Sequence, residues 1–211
     1  MLLYFPAFFD TPQEKDINSK LRLPATLAWN INEYRQLWKL KKHTERVTAS
    51  IHQLQFIVPM DQTLNDLKVL VSSAFALAIE GKKLNRTQHT NRLENCFYIL
   101  ESELSESATW DISFSCLNLI SNTFIIGLAS ASTLLFTATA LAGPGPMLLP
   151  LALAVIASSL TMIAAYSMYV DIRFARHKQL TEIKEGIDFL CANYCPDYES
   201  ESTNEDSLAY K

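Results

Sequence analysis

Hydrophobic residues are concentrated in one long stretch, residues 112–170, which contains no Asp, Glu, Lys, Arg or His. The stretch divides into two apolar lobes, residues 119–142 and residues 147–170. A helix rises about 1.5 Å per residue, so about 20 apolar residues cross a hydrocarbon core of about 30 Å, and each lobe reaches that length. The pattern predicts a two-helix transmembrane hairpin over residues 111–171.

A short segment of glycine and proline joins the two lobes: Gly143, Pro144, Gly145 and Pro146. Proline lacks an amide donor and its ring clashes with the preceding helical turn, so one long helix is not expected to continue through this segment. Glycine permits the positive φ with which a helix ends. Because the link is short, the second helix is expected to return antiparallel to the first, and these four residues form the predicted hairpin hinge.

Two pairs of small residues, four positions apart in each lobe, are predicted to form the face on which the two helices pack. Gly127 and Ala131 are the pair in the first lobe, and Ala154 and Ser158 are the pair in the second. Small side chains let two backbones approach closely in lipid, where no hydrophobic force brings helices together. The alternative is a hairpin buried in a soluble bundle, but the rest of the chain offers too few amphipathic helices to enclose it.

Apolar residues elsewhere recur at spacings of three and four, which is typical of amphipathic helices. Residues 1–110 are predicted to form an N-terminal helical cytosolic region, in which a coiled-coil-like helix opens at Pro24. Residues 172–196 are predicted to form a C-terminal amphipathic helix continuous with the second lobe, and the acidic tail, residues 197–211, to be disordered. The predicted fold class is all-α: a small helical bundle with coiled-coil-like helices plus the transmembrane hairpin.

The first 22 residues carry two weaker signals. Met1 to Phe9 is apolar and aromatic, and it is expected to pack on the helical domain; contact with the membrane interface is the alternative. The polar segment from Asp10 to Arg22, which contains Pro12, is expected to be a loop or a short turn.

Positive charges follow the second lobe at Arg173, Arg176 and Lys178, whereas the hinge carries none. Lys and Arg collect on the cytoplasmic side of membrane helices. The sequence therefore predicts an integral membrane protein with two spans, with both termini cytoplasmic and these three residues forming a basic membrane flank.

Charge and motifs narrow the chemistry. The 211-residue chain has a net charge of −4 and no evident basic stripe interleaved with aromatic residues, which argues against a nucleic-acid partner. Its cysteines are scattered, and Cys191 and Cys195 are expected to be packing residues rather than zinc ligands. Motifs for nucleotide binding, zinc proteolysis and serine hydrolysis do not occur. We therefore expect no catalytic residue, no cofactor and no metal site, and no enzyme activity.

The bilobed stretch with its hinge, Ala142-Gly143-Pro144-Gly145-Pro146, resembles the paired hydrophobic lobes of inclusion-membrane proteins from vacuole-dwelling bacteria. The coil-like helix from Leu37 to Val58 is similar to the flanking helices of that group. The acidic residues 199–206 resemble the tail signals of type IV secreted effectors from Legionella-like bacteria. The resemblance implies secretion into a host cell and insertion in a host or vacuolar membrane, with the soluble parts facing the host cytosol.

Two main functions stay open at this point. In the first, the lipid bilayer holds the hairpin and the helical region binds a protein partner. In the second, the hairpin itself forms a pore or remodels a membrane, and the Ser and Thr residues of the first lobe line a polar path. A homo-oligomer is compatible with either function. A third class, an enzyme on a helical scaffold, has no motif in its favour.

Overall fold

The computed structural model describes residues 3–6, 11–22, 31–58, 62–142 and 148–195, without the side chains of Thr87 and residues 106–112. The described part of the chain contains no strand, and the predicted all-α class is confirmed. Its elements are α1 (Pro12–Arg22), α2 (Ile31–Ile57), α3 (Gln62–Ile79), a π-helical turn (Arg86–Thr90), α4 (Asn91–Ala142), α5 (Leu148–Ala175) and α6 (Lys178–Tyr194).

These elements divide between two compact units. The hairpin unit comprises residues 1–6 and 107–178, and the bundle unit comprises residues 7–106 and 179–211. The sequence predicted regions that follow one another along the chain, whereas each of these units combines two separate segments. The C-terminal helix α6 belongs with the N-terminal helices, and the first residues of the chain belong with the hairpin.

The core of the bundle unit is built from the apolar positions that recur at helical spacing. Its most deeply buried side chains are Ile17, Leu40, Val47, Ile51, Leu54, Leu64, Leu67, Phe75, Leu93, Leu100, Ile183 and Leu190. Each such side chain contributes roughly 1.5–3 kcal/mol by leaving water. The apolar spacing therefore identified the buried faces of α2, α4 and α6.

The expectation of a loop or short turn over Asp10 to Arg22 is wrong, because Pro12–Arg22 is helix α1. Its start is a capping box: Glu14 N donates to Thr11 Oγ1 at 3.3 Å, and Thr11 N donates to Glu14 Oε2 at 2.7 Å. Pro12 stands at the first helical position, where its missing amide hydrogen costs nothing. Ile17 is fully buried and holds the helix on the bundle.

The expectation that α5 continues into the C-terminal helix is also wrong. His177 has a φ of 52° and separates α5 from α6, and its N–H donates to the Phe174 carbonyl at 2.8 Å. A left-handed residue ends an α-helix because the next turn cannot form. By contrast, α4 runs without a break from Asn91 to Ala142, so the first lobe extends a helix that begins in the bundle unit.

Helix α6 packs on α2 through a close approach and a set of side-chain contacts. Gly186 leaves no room for a side chain, since a Cβ built there would overlap Val47 Cγ2. The His43 and Phe189 rings stack with their centroids 4.3 Å apart. Ser50 Oγ donates to Glu182 Oε2 at 2.6 Å. The C-terminal helix is therefore a structural part of the bundle.

Two histidines of α2 predict a pH-dependent stability. The pKa values of His43 and His52 lie below the ordinary value of 6.5, chiefly because burial disfavours the charged imidazolium, with nearby cations adding to the effect. The unfolded chain therefore binds these protons more readily than the folded chain does. The two histidines therefore contribute their full stabilisation to the bundle unit only above pH 6.5. We expect the bundle unit to lose this contribution as the pH falls through 6.5.

The measurement is thermal unfolding of the full chain in detergent, followed by circular dichroism at about pH 7.5 and about pH 5.5. The double replacement His43→Gln with His52→Gln should reduce the difference between the two melting temperatures. The same difference in the variant and the parent would contradict the assignment.

Candidate functional site

The apolar segments Ser113–Ala142 of α4 and Leu148–Ala175 of α5 are long and apolar enough to span a membrane. Only 6% and 17% of their most apolar windows are buried. The most exposed large side chains on them are Leu117, Phe124, Leu128, Leu134, Leu135, Leu141, Leu148, Leu149, Val155 and Met162. A core helix of a soluble protein would bury most of this surface, so the hairpin surface is the main candidate for function.

The two helices of the hairpin run antiparallel, as the short link predicts. Asn118 Nδ2 donates to Asp171 Oδ2 at 2.8 Å, and Thr123 Oγ1 lies 3.9 Å from Met168 Sδ. Further along α4, a cleft of about 320 Å³ separates the helices, and its lining includes Ala129, Ser132, Phe136, Leu153, Ala157 and Leu160. Residues with increasing numbers along α4 therefore contact residues with decreasing numbers along α5, which is the antiparallel arrangement.

Some predicted features lie outside the described residues. They are the hinge residues Gly143, Pro144, Gly145 and Pro146, the helix start at Pro24 and the acidic tail over residues 197–211.

Of the four small residues predicted to pack the hairpin, the structure brings only the second pair to the contact. Ala154 is buried and Ser158 is half-buried, whereas Gly127 and Ala131 are exposed. A Cβ built on Gly127 would meet no atom within 4 Å. In α4 the contact is made by Ala129, only 8% exposed. Two positions correspond to a rotation of about 200°, so the face predicted for the first lobe is wrong and the contact lies on its opposite side.

This contact predicts which enlargement separates the hairpin. Ala154 is 6% exposed, so Ala154→Leu should force the helices apart at a cost of about 1–3 kcal/mol. Gly127→Leu should leave the packing unchanged, because its side chain would point into open space.

The measurement is oxidative crosslinking between cysteines placed at Phe136 and Leu153, with the native cysteines changed to Ser. The crosslink yield should fall in Ala154→Leu and stay at the parent value in Gly127→Leu. The opposite result would restore Gly127 to the contact face.

A buried polar cluster connects the N-terminal segment to the end of the hairpin at which the apolar part of α4 begins and α5 ends. We call this end the open end of the hairpin. The Asp171 carboxylate is 1% exposed and accepts hydrogen bonds from Asn118 Nδ2 at 2.8 Å and from the Tyr4 hydroxyl at 3.3 Å. Ser115 lies one turn before Asn118 on α4 and is 2% exposed. The Tyr4 N–H donates to Ser167 Oγ at 2.7 Å. We call Tyr4, Ser115, Asn118, Ser167 and Asp171 the polar cluster.

The polar cluster corrects the expectation that Met1 to Phe9 packs on the helical domain. The described part of that segment, Leu3–Pro6, packs in the hairpin unit, where Tyr4 is 2% exposed and Phe5 is 49% exposed. Burial, reinforced by the charge and hydrogen bond of Asp171, raises the pKa of Tyr4 above its ordinary value. The Tyr4 hydroxyl therefore stays protonated and acts as a hydrogen-bond donor at neutral pH.

Asn122 lies one helical turn beyond Asn118 and is fully buried. Neither its Nδ2 nor its Oδ1 has a hydrogen-bond partner among the described residues. An unsatisfied buried donor or acceptor costs about 1–3 kcal/mol, so the buried Asn122 amide lowers the stability of the hairpin unit. The contacts of the described residues do not explain it.

The basic flank lies where the apolar helix ends. Arg173 is half-buried: its Nη1 donates to the Tyr169 hydroxyl at 2.8 Å, and its guanidinium lies 5.4 Å from the centre of the Tyr169 ring. Arg176 and Lys178 are exposed. A cation paired with a tyrosine at the end of an apolar helix is typical of the membrane–water interface.

The chemistry offered by these groups is hydrogen bonding. In the described part of the chain, no group of three or more His, Cys, Asp and Glu side chains is placed to hold a metal ion. All four cysteines are free thiols. Burial raises the pKa of Cys191 to about 12, so it is a thiol rather than a reactive thiolate at neutral pH. Cys195 Sγ lies 2.8 Å from Thr90 Oγ1 and is buried with it.

The polar cluster was not predicted from the sequence, although a signal for it is present. Ser115, Asn118 and Asn122 recur at spacings of three and four on an otherwise apolar helix, which places them on one face. Ser167 and Asp171 are four apart on the returning helix. Two polar faces in facing helices would have indicated a buried hydrogen-bonded contact, but Tyr4 carries no comparable signal.

Comparison of the chain with protein-family models, with curated proteins and with solved structures finds no match in any of the three. Its function is therefore inferred from its own residues and geometry.

Proposed function

We propose that this chain is a membrane-anchored helical interaction protein: the hairpin unit inserts in a lipid bilayer, and the bundle unit presents its helices to a protein partner. The exposure of the apolar residues of α4 and α5 carries the proposal. Each Leu, Ile, Val or Phe near the centre of a span favours insertion by about 0.3–0.6 kcal/mol, and no charge stands between residues 112 and 170 to oppose it.

The hydroxyl groups inside the apolar segments fit the same proposal. A polar group in lipid needs a hydrogen-bond partner within the protein. Several hydroxyls donate to a carbonyl one turn earlier in their own helix: Thr133, Thr137, Thr139, Ser158, Ser159 and Thr161. These side chains are compatible with lipid, and their bound donors weaken the alternative in which they line a pore.

The topology follows from the basic flank. With Arg173, Arg176 and Lys178 held on the cytoplasmic side, the two spans place both termini and the bundle unit on that side. The resemblance to inclusion-membrane proteins and secreted effectors extends the proposal to a host or vacuolar membrane. That extension depends on the resemblance alone.

Protein binding is supported by apolar side chains that the bundle unit leaves in contact with solvent. Val69, Tyr98 and Ile99 are 68%, 56% and 52% exposed. Tyrosine is one of the residue types that contribute most of the binding energy at protein interfaces, and Val69 and Ile99 add apolar area, in addition to that of the exposed Tyr98, to the surface of the bundle unit. A homo-oligomer is an alternative use of the same surfaces.

A pair of lysines placed in the second lobe tests insertion more sharply than deletion does. Val155 and Ile156 are 60% and 56% exposed. If the hairpin stood in water, the double replacement Val155→Lys with Ile156→Lys would therefore leave the fold intact. In a bilayer each lysine near the centre of a span costs about 2.5–3.5 kcal/mol. We expect the parent to resist carbonate extraction and the double-lysine variant to be extracted. A variant that lacks residues 112–170 should be extracted as well.

The matched control is Val69→Lys with Tyr98→Lys, which adds the same charge at exposed positions of the bundle unit. This variant should stay in the membrane fraction. Extraction of the parent by carbonate would show that the hairpin does not insert. Release of a trapped dye from liposomes by the parent would instead support the pore-forming function.

A further inference from the structure

The solvent side of α2 combines cations with exposed aromatic residues. Arg35, Lys39, Lys42 and Arg46 are all exposed and follow one another at spacings of four, three and four. At about 100° per residue, these spacings confine the four side chains to an arc of about 60°. They form a single line, which we call the basic stripe, opposite the seam that α2 buries in the bundle.

Apolar side chains flank the basic stripe on one side. Ile31, Tyr34 and Trp38 are 74%, 46% and 52% exposed. The sequence suggested no basic stripe interleaved with aromatic residues, and on α2 the aromatic residues lie beside the line of cations rather than between its members. Aromatic residues beside cations on one helical face are typical of helices that lie on a membrane surface.

Among the described residues, no carboxylate pairs with the cations of the stripe, since none of the four has a carboxylate within ion-pair distance. The nearby Glu45 is 3.6 Å from Lys41, which also lies 5.4 Å from the centre of the Trp38 ring. A chain with a net charge of −4 therefore carries a local line of four positive charges.

We infer that the stripe, with Tyr34 and Trp38, binds the surface of an anionic bilayer, with the cations at the headgroups and the aromatic rings at the interface. The inference rests on the proposed function, because the chain joins the bundle unit to the membrane-inserted hairpin unit at three places, residues 6–7, 106–107 and 178–179. Tethering converts weak surface binding into an intramolecular event at high effective concentration. The partner is thus anionic phospholipid.

Phospholipid fits this surface better than nucleic acid does. A nucleic-acid surface would need phosphate contacts spread over a wider basic patch, whereas this stripe is one residue wide. Exposed Ile31 and Trp38 offer an apolar contact to the membrane interface, and a phosphate backbone has no apolar surface to meet it. Each basic residue near an anionic surface strengthens binding about fivefold.

The test reads the surroundings of Trp38 directly. Trp29 and Trp110 are changed to Phe, so that Trp38 is the one remaining tryptophan. The full chain is reconstituted in vesicles of phosphatidylcholine alone and in vesicles that also contain phosphatidylserine. Emission of Trp38 should shift to the blue, and brominated lipid should quench it, only in the anionic vesicles; added salt should reverse both changes.

Two matched variants isolate the stripe. Replacing Arg35, Lys39, Lys42 and Arg46 together by Gln should weaken docking several hundredfold and abolish the anionic-lipid response. Replacing four exposed cations elsewhere on the bundle unit by Gln changes the net charge equally and should preserve the response. These control positions are Lys82, Lys83, Arg92 and Lys184.

Several results would overturn the inference. Trp38 could stay in water in both kinds of vesicle, be shielded equally in both, or respond to single-stranded RNA and not to anionic lipid. An unchanged response in the stripe variant, or a lost response in the control variant, would also overturn it. Failure of the proposed function looks different, because the chain would then be stripped from the neutral vesicles by carbonate.

Discussion

Asp171→Ala should loosen the open end of the hairpin by about 2–4 kcal/mol. The change removes the acceptor of two buried donors, Asn118 Nδ2 and the Tyr4 hydroxyl. Each donor left without a partner costs about 1–3 kcal/mol, and the removal of a buried carboxylate returns part of that sum. Asp171→Asn keeps one carbonyl acceptor and should have a smaller effect.

Hydrogen exchange of the full chain in detergent measures this change. The Tyr4 amide donates to Ser167 Oγ, so its exchange reports whether the N-terminal segment stays seated. Exchange at Tyr4 and in peptides from the open end of the hairpin should accelerate in Asp171→Ala. Thr139→Ala is the matched control, because that exposed hydroxyl bonds only within its own helix. Unchanged exchange at Tyr4 would remove the polar cluster from the forces that hold the hairpin.

Gly186→Ala should destabilise the bundle unit by about 1–2 kcal/mol, although alanine is the better helix former. The new Cβ would overlap Val47 Cγ2, and Val47 is 1% exposed with a branched side chain that has little freedom to turn. Overpacking of a well-packed core costs about 1–3 kcal/mol, which exceeds the gain of about 1 kcal/mol from helix propensity.

A control and a double mutant identify the cause. Gly127→Ala makes the same substitution in a helix where the new Cβ meets nothing within 4 Å, so it should not destabilise. Val47→Ala should relieve the clash, and the double variant should be more stable than the sum of the two single changes indicates. The measurement is hydrogen exchange in peptides from α2 and α6. Strict additivity would show that Gly186 and Val47 do not compete for the same space.

The helices that the sequence predicted best are those with long, regular apolar spacing. Leu93, Phe97, Leu100 and Leu104 form one stripe in the sequence, and all four are buried. Such a stripe is a local property, because residues three and four apart share a helical face whatever the rest of the chain does. Helix α1 was not predicted, because its residues are mostly polar and Ile17 is the one that it buries, although Thr11 and Glu14 form a capping box at its start.

The face on which the hairpin packs shows the limit of local patterns. Gly127 and Ala131 satisfy the spacing for close helix contact, yet Ala129 makes it. Small residues occur on more than one side of α4, so spacing alone cannot choose among them. The choice depends on where the returning helix lies, which the register of Asn118 with Asp171 and of Thr123 with Met168 determines.

The sequence by itself determined the helical class, the two apolar segments and the buried seams of the bundle. These features follow from hydrophobicity and periodicity, which act over a few residues. The tertiary structure decided the contacts between Tyr4 and Asp171, between Gly186 and Val47, and between α6 and the N-terminal helices. Their partners lie more than a hundred residues apart, and a local pattern shows which face is apolar or polar but not which distant face it meets.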